Sequence, residues 1–247
     1  MHNSVASSGL VNLKIMKIRY KAGRLLKKLG YEIKPEWKTH AGTIHPLHLA
    51  GAVLKARNGG SIGNILQIGV YDGIQNDPLF GSLINAAAAI TLVEPQPSAA
   101  AALRNRFEGD SRIRIIEAAV TDRPGEVMLY SENESSPSAS IIPTHHRRFG
   151  QKNHSKTILV RGITPEALIA ETGGKTPDLL QIDTEGMDWI IVKFLLAAGC
   201  QPAVINFENL HLGRAARLES RTELTKYGYR YLEYGWDTCA VSKTLGI

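Results

Sequence analysis

The chain has 247 residues, of which 43% are apolar and 21% charged. It is long and apolar enough to bury a full core, and no apolar run approaches the length needed to cross a bilayer. Its two cysteines, Cys200 and Cys239, have no metal-ligand spacing and read as free thiols rather than a disulfide framework.

The net charge of +6 is unevenly placed. Residues 1–40 carry nine Lys/Arg and two acids, a net of +7, and the remainder has a net of −1. The high pI therefore belongs to the N-terminal extension, and nucleic acid is not an expected partner of the remaining chain. Within the extension, Val11, Ile15, Ile18, Ala22, Leu25 and Leu29 recur at helical spacing beside a stripe of Lys14, Lys17, Lys21, Arg24 and Lys28. The spacing predicts a helix over 11–29 that ends at Gly30. This helix reads either as a docked amphipathic helix with a solvated basic side or as a contact for an anionic membrane surface or an acidic partner. With no secretory pattern ahead of the fold, the expected compartment is the cytoplasm.

The break Asn58-Gly59-Gly60-Ser61 divides the chain into a basic helical extension, 1–58, and a second domain, 59–247. From there strands and helices alternate. Strand 64–69 leads to a helix near Pro78, with Asp77 as N-cap. Strand 90–94 precedes a helix at 97–107. Strand 113–119 precedes the turn Asp122-Arg123-Pro124-Gly125 and a short strand, 126–130. Residues 131–155, with six serines and the run His145-His146-Arg147-Arg148, form a long polar loop, either a solvated loop or a substrate cover whose basic run meets an anionic acceptor. Strand 156–161, a helix opened by Thr164-Pro165-Glu166, strand 178–183, helix 187–198, strand 203–208 and helix 214–227 follow. Strands 229–234 and 237–242 close the chain as a hairpin about Gly235-Trp236. The alternation predicts a doubly wound α/β fold with a mostly parallel, Rossmann-like sheet and a C-terminal antiparallel hairpin.

Three strand ends carry chemistry. In Gln67-Ile68-Gly69-Val70-Tyr71-Asp72-Gly73, the glycines permit a close backbone approach. Glu94, at the next strand end, has two acceptor oxygens suited to a ribose diol. This pair fits a nicotinamide dinucleotide or S-adenosylmethionine (SAM). The spacing favours SAM, because bulky Tyr71 and acidic Asp72 stand where a pyrophosphate would pass. The third end is Leu180-Gln181-Ile182-Asp183-Thr184-Glu185-Gly186.

These segments, with Val93-Glu94-Pro95, Ala118-Ala119-Val120-Thr121-Asp122, Gln181–Asp188 and Phe207-Glu208-Asn209-Leu210-His211, resemble the FkbM-type methyltransferase family over roughly residues 60–242. The resemblance implies a class I SAM-dependent methyltransferase fold and O-methylation of a sugar, glycan or small natural product. It departs at Tyr71, where the family commonly has Asn. It implies that Gly69, Tyr71, Asp72 and Gly73 surround the methionine end of SAM, that Glu94 with Pro95 holds the ribose, and that Glu117 and Ala118 lie by the adenine. Asp183 would lie beside the transferring methyl.

A hydroxyl acceptor benefits from a base, and Asp183, Glu208 and His211 are the candidates. His211 leads, because an unperturbed imidazole titrates near neutrality. Glu185 and Asp188 are expected at the start of the following helix, favouring its dipole. A metal variant resembling the catechol-type O-methyltransferases would place Mg²⁺ on Asp183, Glu208 and Asn209. Two other readings are a nicotinamide-dependent oxidoreductase and a non-catalytic, methyltransferase-like interaction module.

Overall fold

The computed structural model describes residues 45–74, 77–79, 82–133, 136–143 and 156–246. The expected helix at 11–29 and the His145–Arg148 run lie outside the described residues. The chain divides into two compact units, Met1–Thr43 and Ile44–Ile247. The second unit opens with helix α1 (Pro46–Arg57), whose Leu47, Ala50 and Leu54 are buried at three- and four-residue steps. This helix packs into the core with Ile62, Ile65, Leu79 and Leu83, although the sequence places residues 46–57 in the extension.

Seven strands form the main sheet: β1 (Ile62–Ile68), β2 (Ala87–Val93), β3 (Ile113–Ile116), β7 (Leu179–Ile182), β8 (Val204–Glu208), β9 (Tyr229–Tyr234) and β10 (Asp237–Ser242), in the order β3-β2-β1-β7-β8-β10-β9. All neighbours from β3 to β8 are parallel, and β10 is antiparallel to both β8 and β9. The mostly parallel α/β fold with its terminal hairpin is therefore present. Two buried clusters sandwich this sheet. One gathers Ile68, Ile182 and Phe207 against helix α5 (Asp188–Ala197), and the other gathers Ile65, Leu179 and Val204 against α1. Burial on both faces explains why these strands read as continuous apolar runs.

Three elements differ from the expected ones. The helix expected near Pro78 is the short α2 (Ser82–Ala86), and the next residues, Ala87–Ala89, are already strand. Alanine favours helix, but parallel pairing of Ala87 with Ile62 and of Ile90 with Ile65 prevails. The strand expected at 113–119 is divided. β3 pairs with β2 only as far as Ile116, and β4 (Ala119–Val120) pairs instead with β6 (Lys156–Ile163). β4, β6 and β5 (Gly125–Ser131) form a second, three-stranded sheet, buried through Ala119, Leu129 and Val160. Helices α3 (Pro97–Arg106), α4 (Pro165–Glu171) and α6 (Arg214–Lys226) complete the unit. No helix among the described residues is long and apolar enough to cross a membrane.

Candidate active site

The chain reverses direction across the sheet between β1 and β7, and their carboxyl ends meet there. Such a switch point is where open parallel sheets bind ligands. Gly69 follows β1 with φ +78°, and its N–H donates to the Val93 carbonyl at 2.9 Å. Asp183 follows β7, and its N–H donates to the Ile68 carbonyl at 2.9 Å. A Cβ on Gly69 would stand 1.7 Å from the Asp183 carbonyl oxygen, so the two strand ends close only around glycine. Tyr71 (φ 52°) and Glu185 (φ 56°) hold the same left-handed conformation without being glycine. Such strain persists only where the surrounding structure fixes it, and it concentrates at functional sites.

Glu94 is 2% exposed, and both its oxygens are engaged. Oε2 accepts from the Val70 and Tyr71 N–H groups at 3.1 and 2.7 Å, and Oε1 accepts from Gln96 N and Nε2 at 2.9 and 3.3 Å. Burial pushes its pKa up, against the pull of these hydrogen bonds. Glu94 therefore anchors the glycine loop to the end of β2 in this structure. Gln96 extends the link, exchanging two 2.9 Å hydrogen bonds with the Ser136 backbone and so attaching the Ser136–Pro143 segment to the site.

Of the residues expected around the cofactor, Gly69, Tyr71, Glu94, Pro95, Ala118 and Asp183 line one cleft. Three do not line it. Asp72 turns its Oδ1 back to the Ile74 N–H at 2.9 Å, and Gly73 is buried against Leu103. Glu117 faces α3, where Arg104 donates to it at 2.9 Å. Pro137, Ala139 and Ile141 of the polar loop form part of the wall.

Sequence reasoning missed Gln67 and Gln181, which also line the cleft. A signal was present: Gln67, Gln181 and Asn206 interrupt three apolar strands and are register partners across β1, β7 and β8. Asn206 donates to Gln181 Oε1 at 2.9 Å, and Gln67 Nε2 donates to Asp77 Oδ2 at 3.0 Å. Asp77 also accepts from the Leu79 N–H at 2.8 Å, so it caps a turn rather than the expected helix and ties that turn to β1. The Gln67 Oε1 atom is buried with no hydrogen-bond partner.

A cluster of acids gathers at the β7 and β8 ends. Asp188 accepts from the Thr184 and Gly186 N–H groups, both at 2.9 Å, and so holds the loop that carries Glu185. Ser140 Oγ donates to the Glu185 carbonyl at 2.9 Å. His211 Nε2 lies 3.0 Å from both Glu185 Oε2 and Glu208 Oε2. Burial alone would lower the His211 pKa, but the two carboxylates outweigh it and push it up to about 9. Near neutrality the ring is therefore a cation held between acids, which corrects the expectation of a free neutral base. Burial pushes Glu208 up to about 7, against the pull of His211.

Asp183 is pushed well above the usual carboxylate range, first by its concave, protein-lined surroundings and then by Glu208, Asp188, Glu185 and Asp237. Its side chain is nevertheless exposed to the water of the cleft, which moderates that push and leaves it reachable. Asn209 does not fit the Mg²⁺ variant. It is buried against the hairpin, donating to Thr238 Oγ1 at 3.0 Å, while Arg217 donates to its Oδ1 at 3.1 Å. A guanidinium already on that oxygen excludes it as a metal ligand.

The model of the methyltransferase FkbM domain matches residues 67–231, from β1 through β9 and about two thirds of the chain. The chain belongs to the FkbM methyltransferase family. No curated protein matches it. Among solved structures it is similar to the FkbM methyltransferase of Methylobacillus flagellatus KT at 17% identity, with a TM-score of 0.47, over 73% of this chain and 43% of that one. It thus spans less than half the length of that FkbM relative. It is also similar to an O-methyltransferase from Bacillus cereus in complex with SAH, at 10% identity and a TM-score of 0.41, over 90% of this chain and 97% of that one. A third is the precorrin-6y C5,15-methyltransferase of Geobacter metallireducens, at 11% identity and a TM-score of 0.41, over 79% and 85% of the two chains.

Proposed function

We propose that this chain is a SAM-dependent methyltransferase that methylates a hydroxyl oxygen on a sugar, a glycan or a small natural product. The carrying observation is the family match over a cleft in which Gly69, Glu94 and Asp183 meet at adjacent strand ends. The donor set suits SAM. Gln67 Oε1 is a buried acceptor without a partner on the cleft wall, where an ammonium group would satisfy it. The turn from Gly69 to Tyr71, left-handed at both those residues, lets a ligand approach the backbone, and Glu94 sits where a ribose diol can compete for its oxygens.

SAM supplies a methyl group activated on a sulfonium. The chain must then hold the acceptor oxygen about 3–3.5 Å from that methyl and in line with the sulfur. Asp183 opens into the cleft and is assigned to accept the hydroxyl proton, since its raised pKa brings it nearer the acceptor's requirements. His211 takes the role of holding Glu185 and Glu208 in place. Calorimetric titration with SAM, with NADH as control, tests the cofactor, and methyl transfer to a panel of hydroxylated and amine acceptors tests the oxygen assignment. SAM binding with methylation confined to hydroxyls supports this reading. Binding of NADH alone, or methylation confined to amines, refutes it.

The cytoplasmic location is part of the same proposal. So is contact of the basic helix at 11–29 with an anionic surface. Charge reversal at Lys14, Lys17 and Lys21 is expected to abolish binding to anionic vesicles.

A further inference from the structure

The atoms that surround His211 suit a metal ion as well as a proton. Glu185 Oε2 and Glu208 Oε2 each lie 3.0 Å from His211 Nε2, and ligand atoms of all three residues fall within 4.8 Å of one another. An octahedral ion with bonds of about 2.1 Å separates adjacent ligands by about 3.0 Å. Both His211 separations match that edge length.

Each ligand stands on a backbone fixed by other contacts. Glu185 is held in a left-handed conformation between Ser140 and the loop that Asp188 pins. Glu208 is the last residue of β8, paired with Asp237. The turn carrying His211 is tied to the hairpin by the Asn209 N–H, which donates to the Trp236 carbonyl at 2.6 Å, and by Arg217, which donates to the Asn209 carbonyl at 2.9 Å. The site is thus assembled from two strand ends and a turn, as a preorganised ligand set requires.

The charge balance points the same way. Asp183 and Asp188 add their charge to that of Glu185 and Glu208, whereas Asp237 is paired with His45 at 3.3 Å. Among the described residues, the guanidinium groups of Arg217 and Arg221, on α6, reach Glu233 at 3.8 and 2.9 Å.

We propose that Glu185, Glu208 and His211 form a three-ligand site for a divalent cation of the Mn²⁺ or Mg²⁺ class, beside the cleft at Glu185. Two carboxylates with one imidazole suit Mn²⁺ well, since carboxylate ligands favour the hard ions and imidazole the transition series. The set differs from the Asp183, Glu208 and Asn209 of the metal variant weighed from the sequence, because Asn209 is committed to Thr238 and Arg217. On binding, the Nε2–H bond breaks, its proton passes to solvent, and the nitrogen lone pair goes to the metal. Resting on the methyl-transfer reading, the ion's task would be to polarise the acceptor hydroxyl, for which Glu185 on the cleft wall is well placed.

The test is a Mn²⁺ titration of the chelator-treated full-length protein, followed by electron paramagnetic resonance. The expected result is one Mn²⁺ per chain, with a nitrogen hyperfine coupling from His211. Affinity should fall at least about tenfold in Glu208→Gln and in His211→Ala. Glu233→Gln, whose carboxyl lies among the α6 arginines, should bind as wild type. Absence of Mn²⁺ binding by the wild type, binding without nitrogen coupling, or unchanged affinity in Glu208→Gln would overturn the site. The coupling is read on the wild type, so poor folding of a variant does not blunt the test. SAM titration of the same sample separates the two readings. SAM binding without Mn²⁺ binding defeats the ion site alone, whereas Mn²⁺ binding without SAM binding counts against the methyltransferase reading.

Discussion

At Gly69 there is no room for a side chain, and the backbone conformation would strain one. Gly69→Ala is expected to cost about 1–3 kcal/mol in backbone strain and more from the clash with the Asp183 carbonyl. Thermal melts should show a clear loss of stability together with loss of SAM binding. Glu94 and Asp183 respond differently, because one is built into the fold and the other opens into the cleft. Glu94→Ala strands the Val70, Tyr71 and Gln96 N–H groups, each at about 1–3 kcal/mol if it stays buried and unpaired, so stability and SAM affinity should fall together. Asp183→Ala removes an exposed carboxylate from a crowd of like charges, so the melting temperature should hold or rise. Its turnover should fall by about 10²–10⁴-fold, as for a lost general base. Equal losses of stability in both variants would contradict this division of roles.

Among the elements, strand ends are legible in the sequence and the features that depend on distant pairing are not. The runs ending at Gly69, Glu94 and Asp183 announce themselves, because a buried parallel strand is continuously apolar and the first polar residue marks its rim. Ala87–Ala89 mislead because alanine carries a local helical preference that strand pairing overrides. The division of 113–119 into β3 and β4 is hidden, because both pieces are apolar and only the β6 partner draws Ala119 and Val120 away. Helix α1 does carry a readable period in Leu47, Ala50 and Leu54, obscured by its position before the Gly-rich break. Leu54→Ala should destabilise the unit by about 2–5 kcal/mol in chemical denaturation if α1 is part of its core. A cost near zero would return α1 to the extension. At the site itself, the pairing of His211 with two acids is invisible in the sequence, since residues 185, 208 and 211 meet only through the β7–β8 neighbourhood. Cys200 and Cys239 are free thiols, as their spacing suggests. Burial pushes them up to about 11 and about 12, so both should resist alkylation at pH 8 until the protein is unfolded, as mass spectrometry would show.

For the whole molecule, charge and chemistry are divided along the chain. The positive excess lies in the first forty residues, while the strand ends of the second unit bring together Asp183, Glu185, Asp188 and Glu208. The family match begins at Gln67 and ends at Tyr231, so it includes every strand end that lines the cleft and omits the basic extension. Cofactor binding is therefore expected to be a property of the second unit, whatever the extension contacts. The most direct measurement is calorimetric titration of the purified protein with SAM, in parallel with Gly69→Ala and with NADH. The account predicts one SAM bound per chain in the micromolar range, none by Gly69→Ala, and no heat with NADH. Silence with SAM in a folded wild-type protein, or undiminished binding by Gly69→Ala, would contradict it.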